Sequence, residues 1–265
     1  MHHVPEVSIE TVRRSVGFFS PIVSTYFRSE VRGMGRIPER QCLIVAHHDG
    51  GILPMNGICF GVAWYEFFEF GRPLYVLAHD LIHRVFGSFT QILPRSGVVS
   101  ADRAMMDEVV QAGHSLLVFP GAARESFRPF SQRKNIDLGG RVGFVRQAMR
   151  HGLPIVPIVT AGSHETLYVI RRGARLARFF HLEKIVRSAD VMPIIAGLPW
   201  GIWALPFLPQ LPFPAKITTE VLPPIVVEGD PDRPEDVKAG FDRVLGEMQP
   251  ALWRLYAERR FPIVG

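Results

Sequence analysis

Short, continuous apolar runs alternate with segments of helical periodicity along most of this chain. A strand that is buried on both faces of a sheet reads as such an uninterrupted run of Val, Ile and Leu. The residues between most of the runs have the spacing of amphipathic helices. We therefore predict an α/β fold with a central mixed, mostly parallel sheet flanked by helices. The five predicted strands are residues 42–46, 74–78, 115–119, 154–159 and 217–222.

The two ends of the chain are predicted to be helices that frame one central domain. Residues 9–27 have helical spacing that Pro21 interrupts, which predicts a kinked amphipathic helix. Residues 233–260 carry apolar side chains along one helical face, and Pro250 should kink or split that helix. No repeat or low-complexity linker divides the chain. We expect an N-terminal amphipathic helix over 1–29, a central domain over 30–228, and a C-terminal helix over 229–265 that packs on the same domain.

Composition and charge limit the partners that the chain can bind. The 265 residues include 30 Lys and Arg against 25 Asp and Glu, and 47% are hydrophobic. Such a composition excludes an intrinsically disordered chain, and its positive charge favours an anionic membrane surface or nucleic acid. Nucleic acid is not expected because no nucleic-acid-binding motif is present. Cys42 and Cys59 lie in apolar stretches, which predicts buried thiols in a reducing compartment. The residues near the N-terminus do not include the apolar segment of a secretory signal, so we do not expect a cleaved signal peptide.

Residues 191–215 contain no charged side chain and six prolines. A transmembrane helix needs about 20 apolar residues, but six prolines exclude one because lipid cannot replace the lost backbone hydrogen bonds. The segment is either an irregular hairpin whose Trp and Phe side chains contact a bilayer, or a proline-rich loop over the core. Six basic residues precede it between Arg171 and Arg187. They favour a peripheral protein on the cytoplasmic face of an anionic membrane, with a solvated helical face as the alternative.

Two motifs directly follow predicted strands, where the functional residues of α/β sheets collect. Residues 47–51, His-His-Asp-Gly-Gly, follow the first strand and place an imidazole where it can act as a general base. In residues 119–125, Phe-Pro-Gly-Ala-Ala-Arg-Glu, small residues allow close approach of a ligand, and Arg124 can bind an oxygen-rich group. A structural histidine and an ordinary turn are the respective alternatives. Residues 154–157 carry two prolines, which is typical of an edge strand or a strand end.

In this order and spacing, the motifs resemble the conserved blocks of the glycerolipid acyltransferase superfamily, and most of all its diacylglycerol-acyltransferase-like branch. The resemblance covers roughly residues 30–228, which would be the acyltransferase domain. In the first block, His48 with Gly50, Gly51 and Pro54 resembles His-Ser-Gly-Gly followed by Pro. Arg95 lies where the second block ends in a basic residue, and residues 119–125 resemble the third block, Phe-Pro-Gly-Gly-Ala-Arg-Glu. Pro157 lies in the counterpart of the fourth block.

The resemblance implies an acyltransferase that moves a fatty acyl group from acyl-CoA or acyl carrier protein to a lipid hydroxyl, such as that of a mono- or diacylglycerol or a lysophospholipid. His48 would take the hydroxyl proton, with Asp49 and Asn56 as its candidate partners. No metal and no cofactor beyond the thioester co-substrate are expected. Glu125 would orient Arg124, and backbone amides near the glycines would stabilise the oxyanion. The implied substrate-binding residues are Gly50, Gly51, Arg95, Gly121, Arg124, Glu125 and Pro157.

Two positions depart from the superfamily pattern. Asn56 stands where the superfamily pairs its histidine with an Asp, and Asp49 stands where Ser is usual. An Asn can orient an imidazole but cannot stabilise an imidazolium by charge. This keeps open a non-catalytic lipid- or acyl-CoA-binding protein on the same fold. Residues 79–83, His-Asp-Leu-Ile-His, have the spacing of a zinc-protease helix, but no third ligand is evident and zinc is not expected.

Overall fold

Two β-sheets are present in the computed structural model, which describes residues 4–51, 53–78, 92–173, 192–204, 210–261 and 263–264. Within these residues the strands are β1 (Glu30–Arg32), β2 (Leu43–Ala46), β3 (Leu74–Ala78), β4 (Val98–Ser100), β5 (Ser115–Val118), β6 (Ile155–Ala161), β7 (Tyr168–Arg171), β8 (Ile194–Gly197), β9 (Gly201–Trp203) and β10 (Thr218–Val221). The larger sheet has the order β1-β10-β6-β2-β5-β3-β4. Only the β6–β10 pair in it is antiparallel. The predicted mixed, mostly parallel sheet is confirmed.

All five predicted strands are present, as β2, β3, β5, β6 and β10. Every residue of β2, β5 and β6 is buried, because these strands lie inside the sheet and both of their faces are covered. The edge strands β1 and β4 were not predicted. Each has three residues, and their partly exposed side chains do not form a continuous apolar run.

Of the two interpretations of the Pro154–Pro157 stretch, the edge strand is wrong, because β6 lies inside the sheet between β10 and β2, whereas Pro154 does lie at a strand end, directly before the first residue of β6. Pro157 pairs with Val45 of β2, and on the other side its carbonyl accepts from the N–H of Leu222 at 2.9 Å. Leu222 comes directly after β10, so the hydrogen bond that Pro157 cannot donate falls at the end of that ladder. An interior strand can accept a proline at such a position.

Among the described residues, the α-helices are α1 (Ile9–Pro21), α2 (Met55–Phe67), α3 (Ile92–Arg95), α4 (Arg103–Gln111), α5 (Ala122–Ser126), α6 (Gly143–His151) and α7 (Pro234–Ala257). At Pro21, α1 gives way to a π-helix over Ile22–Tyr26, as the interruption there predicted. In contrast, α7 continues through Pro250 and is not split. Met248, Ala251 and Leu252 on either side of this proline are buried, and α7 packs along β6, so tertiary packing outweighs one lost backbone bond.

The smaller sheet contains part of the charge-free segment. Its strands β7, β8 and β9 are antiparallel neighbours in that order. Of the two alternatives for this segment, a hairpin is present as β8–β9, with Trp203 buried and Trp200 52% exposed. The inner face, formed by Val169, Ile195 and Trp203, packs against Phe127 and Leu167 in a second, smaller core.

Side chains of α1 and α7 belong to the same main core as the large sheet. The domain boundaries at residues 29 and 228 stay predictions.

Cys42 and Cys59 are buried free thiols, as expected. Among the helices in the described part of the chain, we find none with the length and apolar character needed to cross a bilayer. The basic residues from 175 to 187 and the histidines at 79 and 83 lie outside the described residues, so the expectations about them stay predictions.

Candidate active site

The turn over residues 47–51 joins the end of β2 to the region before α2. Gly50 and Gly51 both have φ +75°, a conformation that other residues adopt at a cost. A Cβ on Gly51 would also lie 2.7 Å from Leu167 Cδ2. The two glycines are therefore required by the shape of the turn and by the close approach of the smaller sheet.

His48 is half-buried at this turn, beside the Phe119 ring at a centroid distance of 5.0 Å. Its Nδ1 lies 3.3 Å from the backbone carbonyl oxygen of Asp49. Because a carbonyl can only accept, Nδ1 carries the proton and Nε2 keeps the lone pair in the neutral ring. Burial lowers the pKa of His48 to about 4, so the ring is neutral at pH 7. His48 thus has the protonation state of a general base.

His47 has a different, structural role. It is buried, and its Nε2 accepts from the backbone N–H of Thr160 in β6 at 2.9 Å. Nδ1 must then carry the proton, and it lies 3.2 Å from Asp49 Oδ2. The ring is fixed between the sheet and the Asp49 carboxylate, which leaves it no lone pair for a substrate.

The Asp49 carboxylate points into a buried cluster and not toward the His48 ring. It binds Arg128 Nη2 at 2.5 Å through Oδ1, and Ser163 Oγ donates to Oδ2 at 2.5 Å. His164 Nδ1 lies 3.6 Å from Oδ1. Burial by itself raises the pKa of Asp49, but attraction by His47 and Arg128 outweighs it and holds the pKa below its usual range. Asp49 is therefore ionised, as the counter-charge of Arg128.

Asn56, the other predicted partner of His48, lies in the first turn of α2 and also binds elsewhere. Its Nδ2 donates to the backbone carbonyl of His47 at 2.7 Å, and its Oδ1 accepts from the N–H of Gly57 at 2.9 Å. Both ends of the carboxamide are used to fix the turn to the helix. The structure places neither the Asn56 nor the Asp49 side chain on the His48 ring, and their catalytic assignment stays a prediction.

The 119–125 motif follows β5, next to the histidine turn. Glu125 is fully buried in α5, where Oε2 accepts from the N–H of His48 at 2.8 Å and Oε1 from the N–H of Asp137 at 3.0 Å. Burial raises the pKa of this carboxyl group. A Cβ on Gly121 would lie 2.1 Å from Glu125 Oε2, so this glycine is required because the glutamate packs against it.

The predicted contact between Arg124 and Glu125 is wrong. Arg124 Nε lies 3.1 Å from Asp137 Oδ2, and the Arg124 side chain is half exposed. Successive residues of a helix point about 100° apart, so Glu125 faces the core while Arg124 faces outward. Arg124 remains available to bind a ligand, held by Asp137 and not by Glu125.

Two other predicted binding residues do not lie at the histidine turn. Arg95 is exposed at the end of α3, before the first residue of β4, whereas His48 follows the last residue of β2. Since β2, β5, β3 and β4 run parallel, these positions are at opposite ends of the sheet, and placing Arg95 in the site is wrong. Pro157 is buried in β6, where it pairs with Val45, two residues before the turn begins.

Arg128 is a residue of the site that the sequence reasoning missed. It is fully buried just after α5, and its Nη1 donates to the His48 carbonyl at 3.0 Å. Ser163 and His164, which bind the same cluster, were also missed. The signal for Arg128 is its position between Phe127 and Pro129, in a segment where an arginine side chain has apolar neighbours.

Comparisons with known proteins identify the family of the chain. The sequence model of the family described as "Diacylglycerol acyltransferase" matches residues 13–259. An uncharacterized protein of Mycobacterium tuberculosis is 30% identical over 261 residues, which is 97% of this chain and 68% of that protein. The mouse "DGAT1/2-independent enzyme synthesizing storage lipids" is 29% identical over 73% of this chain and 55% of its own length. Human "Diacylglycerol O-acyltransferase 2" is 27% identical over 69% of this chain and 48% of its own length.

A solved structure supports the fold. The 1-acyl-sn-glycerophosphate acyltransferase PlsC of Thermotoga maritima superimposes with a TM-score of 0.56 at 15% identity, over 94% of this chain and 81% of that one. At this identity the similarity shows a common fold. The family match covers far more than half of the chain. The chain therefore belongs to the diacylglycerol acyltransferase family, and it is a lipid acyltransferase.

Proposed function

We propose that the chain transfers a fatty acyl group from a thioester, acyl-CoA or acyl carrier protein, to the hydroxyl of a mono- or diacylglycerol or a lysophospholipid, with His48 as the base. The observation that carries this proposal is the state of the His48 ring at the end of β2. Its Nδ1 is tied to a carbonyl, and burial lowers its pKa to about 4. Nε2 is therefore a proton acceptor at neutral pH.

In the proposed reaction, Nε2 of His48 takes the proton of the acceptor hydroxyl while the hydroxyl oxygen attacks the thioester carbonyl. The tetrahedral oxyanion then expels the thiolate, which takes the proton back from the imidazolium. The amide of Gly51 is directed at the Ser126 carbonyl at 3.4 Å, so we assign the oxyanion to the amides of Gly50 and Gly121. Such a donor is worth about 3–4 kcal/mol in the transition state.

The test is thiol release from long-chain acyl-CoA or acyl carrier protein in the presence of each acceptor class. We expect His48→Ala to abolish release. His151→Ala is the matched control, because His151 ends α6 before β6 begins, at the other end of the sheet, and it should leave the rate unchanged. Thiol release that persists in His48→Ala would contradict the assignment of the base. Tight thioester binding without turnover on every acceptor would contradict the proposed reaction.

We propose further that the outer face of the smaller sheet docks on an anionic membrane on its cytoplasmic side. Tyr168, Ala196 and Ile202 lie in one row across β7, β8 and β9, opposite the buried row on the inner face. Ile202 is 72% exposed, and the flanking Trp200 is 52% exposed. An apolar face of this kind, with the exposed Arg171 at the end of β7, suits the headgroup boundary of a bilayer, where Trp is enriched.

Flotation with phosphatidylcholine vesicles, with and without phosphatidylserine, tests this docking. Trp200→Ser should weaken vesicle binding about fivefold, since half of a large side chain is worth about 1 kcal/mol on burial. Trp253→Ser is the matched control, because Trp253 on α7 has the same 52% exposure away from this sheet. Binding should also fall at high salt. Equal losses in the two variants, or no flotation with either lipid mixture, would contradict the proposal.

A further inference from the structure

The main chain on both sides of the His48 side chain is bound by buried charged groups. On one side, the N–H of His48 donates to Glu125 Oε2 at 2.8 Å. On the other side, the His48 carbonyl accepts from Arg128 Nη1 at 3.0 Å. Glu125 and Arg128 are themselves linked, with Nη1 3.5 Å from Glu125 Oε1 and 3.3 Å from the Glu125 carbonyl. Together they form a clamp on the two peptide units that flank this residue.

The clamp takes the place of a side-chain carboxylate hydrogen-bonded to the His48 ring. The only hydrogen bond recorded for the ring in the described part of the chain is the 3.3 Å contact of Nδ1 with the Asp49 carbonyl. That carbonyl belongs to the same turn, in which Gly50 and Gly51 have φ +75° and add conformational freedom. The direction of the ring therefore depends on how firmly the main chain of the turn is held.

Holding a turn with buried charges is costly, which argues that the arrangement serves a purpose beyond folding. Glu125 and Arg128 are both fully buried, and taking such groups out of water costs several kcal/mol per ion before their attraction is counted. A neutral side chain could satisfy a single N–H or carbonyl group at a lower desolvation cost. Charged groups bind peptide groups more strongly and at shorter distance, which restricts the turn more tightly.

We propose that Glu125 and Arg128 are positioning residues that orient His48 through its main chain, in place of a carboxylate on its ring. This inference rests on the proposed function of His48 as the base. A displacement of about 1 Å at a reacting group can cost about 100-fold in rate, so a loosened clamp lowers kcat. The thioester KM stays unchanged, because Glu125 and Arg128 are fully buried and bind groups of the protein itself, so the predicted contact of Glu125 with substrate is not available.

The test compares variants that damage the clamp with one that loses a buried hydrogen bond elsewhere in the sheet. Glu125→Gln has a single oxygen and cannot accept from both His48 and Asp137, and Arg128→Met removes the donor to the His48 carbonyl. Thr219→Val is the matched control: it removes a buried hydrogen bond, the 2.9 Å contact with Thr160 Oγ1, and in the described part of the chain Thr219 has no side-chain hydrogen bond to His48, Glu125 or Arg128. Arg128→Lys keeps the positive charge but has a single ammonium group as donor, so it should keep part of the kcat that Arg128→Met loses.

We expect kcat to fall about 10- to 100-fold in Glu125→Gln and Arg128→Met with KM for acyl-CoA unchanged, and to stay within twofold in Thr219→Val. The clamp proposal is wrong if Glu125→Gln and Arg128→Met keep kcat within twofold, or if Thr219→Val loses as much kcat as they do. Nitrogen-15 NMR of the labelled His48 ring gives a readout that needs no turnover. The wild type should show one tautomer, protonated at Nδ1, and the clamp variants a mixture.

The two measurements separate this inference from the proposed function. If the wild type releases no thiol from any donor, or if His48→Ala keeps full activity, then the proposed function fails, and the NMR tautomer still decides whether the clamp orients the ring. If the wild type is active through His48 and the clamp variants are unaffected in both kcat and tautomer, then only the clamp fails.

Discussion

Replacing Asp49 with Asn should destabilise the protein strongly, although the two side chains have nearly the same shape. Arg128 and Asp49 are both 0% exposed, and their closest atoms are 2.5 Å apart. With Asn, the guanidinium loses its ionised partner. The amide nitrogen in place of Oδ2 would also face the protonated Nδ1 of His47, which lies 3.2 Å from Oδ2 in the wild type. Two donors would then oppose each other in a buried site.

The size of the effect follows from what remains around the guanidinium. Breaking a buried ion pair by removing one partner costs about 3–5 kcal/mol. Glu125 Oε1 still lies 3.5 Å from Arg128, and the Asn oxygen can still accept from it, so we expect the lower end, about 3 kcal/mol. For a chain of this size, that lowers Tm by about 6–12 °C.

Urea denaturation is the appropriate assay, with the midpoint falling at an unchanged m-value. The control is Asp242→Asn, because Asp242 pairs with Lys238 on the surface of α7, where both side chains are more than half exposed. Loss of that surface pair should lower the free energy of unfolding by less than about 0.5 kcal/mol. A double-mutant cycle with Arg128→Met then isolates the pair. A loss below about 1 kcal/mol in Asp49→Asn would refute the argument that the Arg128–Asp49 pair is a desolvated ion pair.

Two further predictions follow from the same contacts. Burial lowers the pKa of His48 from 6.5 to about 4 and that of His164 to about 3, so in acid the folded state binds fewer protons than the unfolded state. In urea titrations, the free energy of unfolding should therefore be highest above pH 6.5 and fall steadily toward pH 4. A free energy of unfolding that does not change with pH in this range would contradict the prediction. Asn56→Asp, which restores the residue of the superfamily pattern, should lower kcat and Tm, because a carboxylate cannot donate to the His47 carbonyl, which lies 2.7 Å from Asn56 Nδ2. Activity assays and thermal denaturation test this. A kcat and a Tm higher than those of the wild type would contradict it and would show that the new carboxylate pairs with His48.

The strands and the place of the site could be predicted because both depend on local sequence. A strand that is buried on both faces must be apolar throughout, so β2, β5 and β6 are visible as runs. The turn after β2 and the motif after β5 lie together because parallel neighbours end at the same edge of the sheet. Arg95 shows the limit of this reasoning: a motif order cannot tell whether a basic residue stands before a strand or after one.

The side-chain partners could not be predicted, because they are set by residues far apart in the sequence. Asp49 and Arg128 are 79 positions apart, and Asp49 and Ser163 are 114 apart. Nothing near Asp49 indicates whether its carboxylate turns toward His48 or away from it. Arginines are mostly exposed, so the apolar neighbours of Arg128 in the sequence are a weak signal, and the tertiary structure is needed to show that it is fully buried.

The two departures from the superfamily pattern have a common physical explanation in this chain. Asp49 stands where that pattern has Ser, and its carboxylate is the counter-charge of Arg128. A Ser at position 49 would leave the guanidinium with Glu125 alone, which already accepts from two backbone N–H groups. Asp49 and Arg128 are therefore expected to occur together: a chain with Ser at this position must lose the guanidinium or supply another carboxylate. With the turn fixed by Arg128, Glu125 and Asn56, the ring of His48 can be oriented without an aspartate of its own.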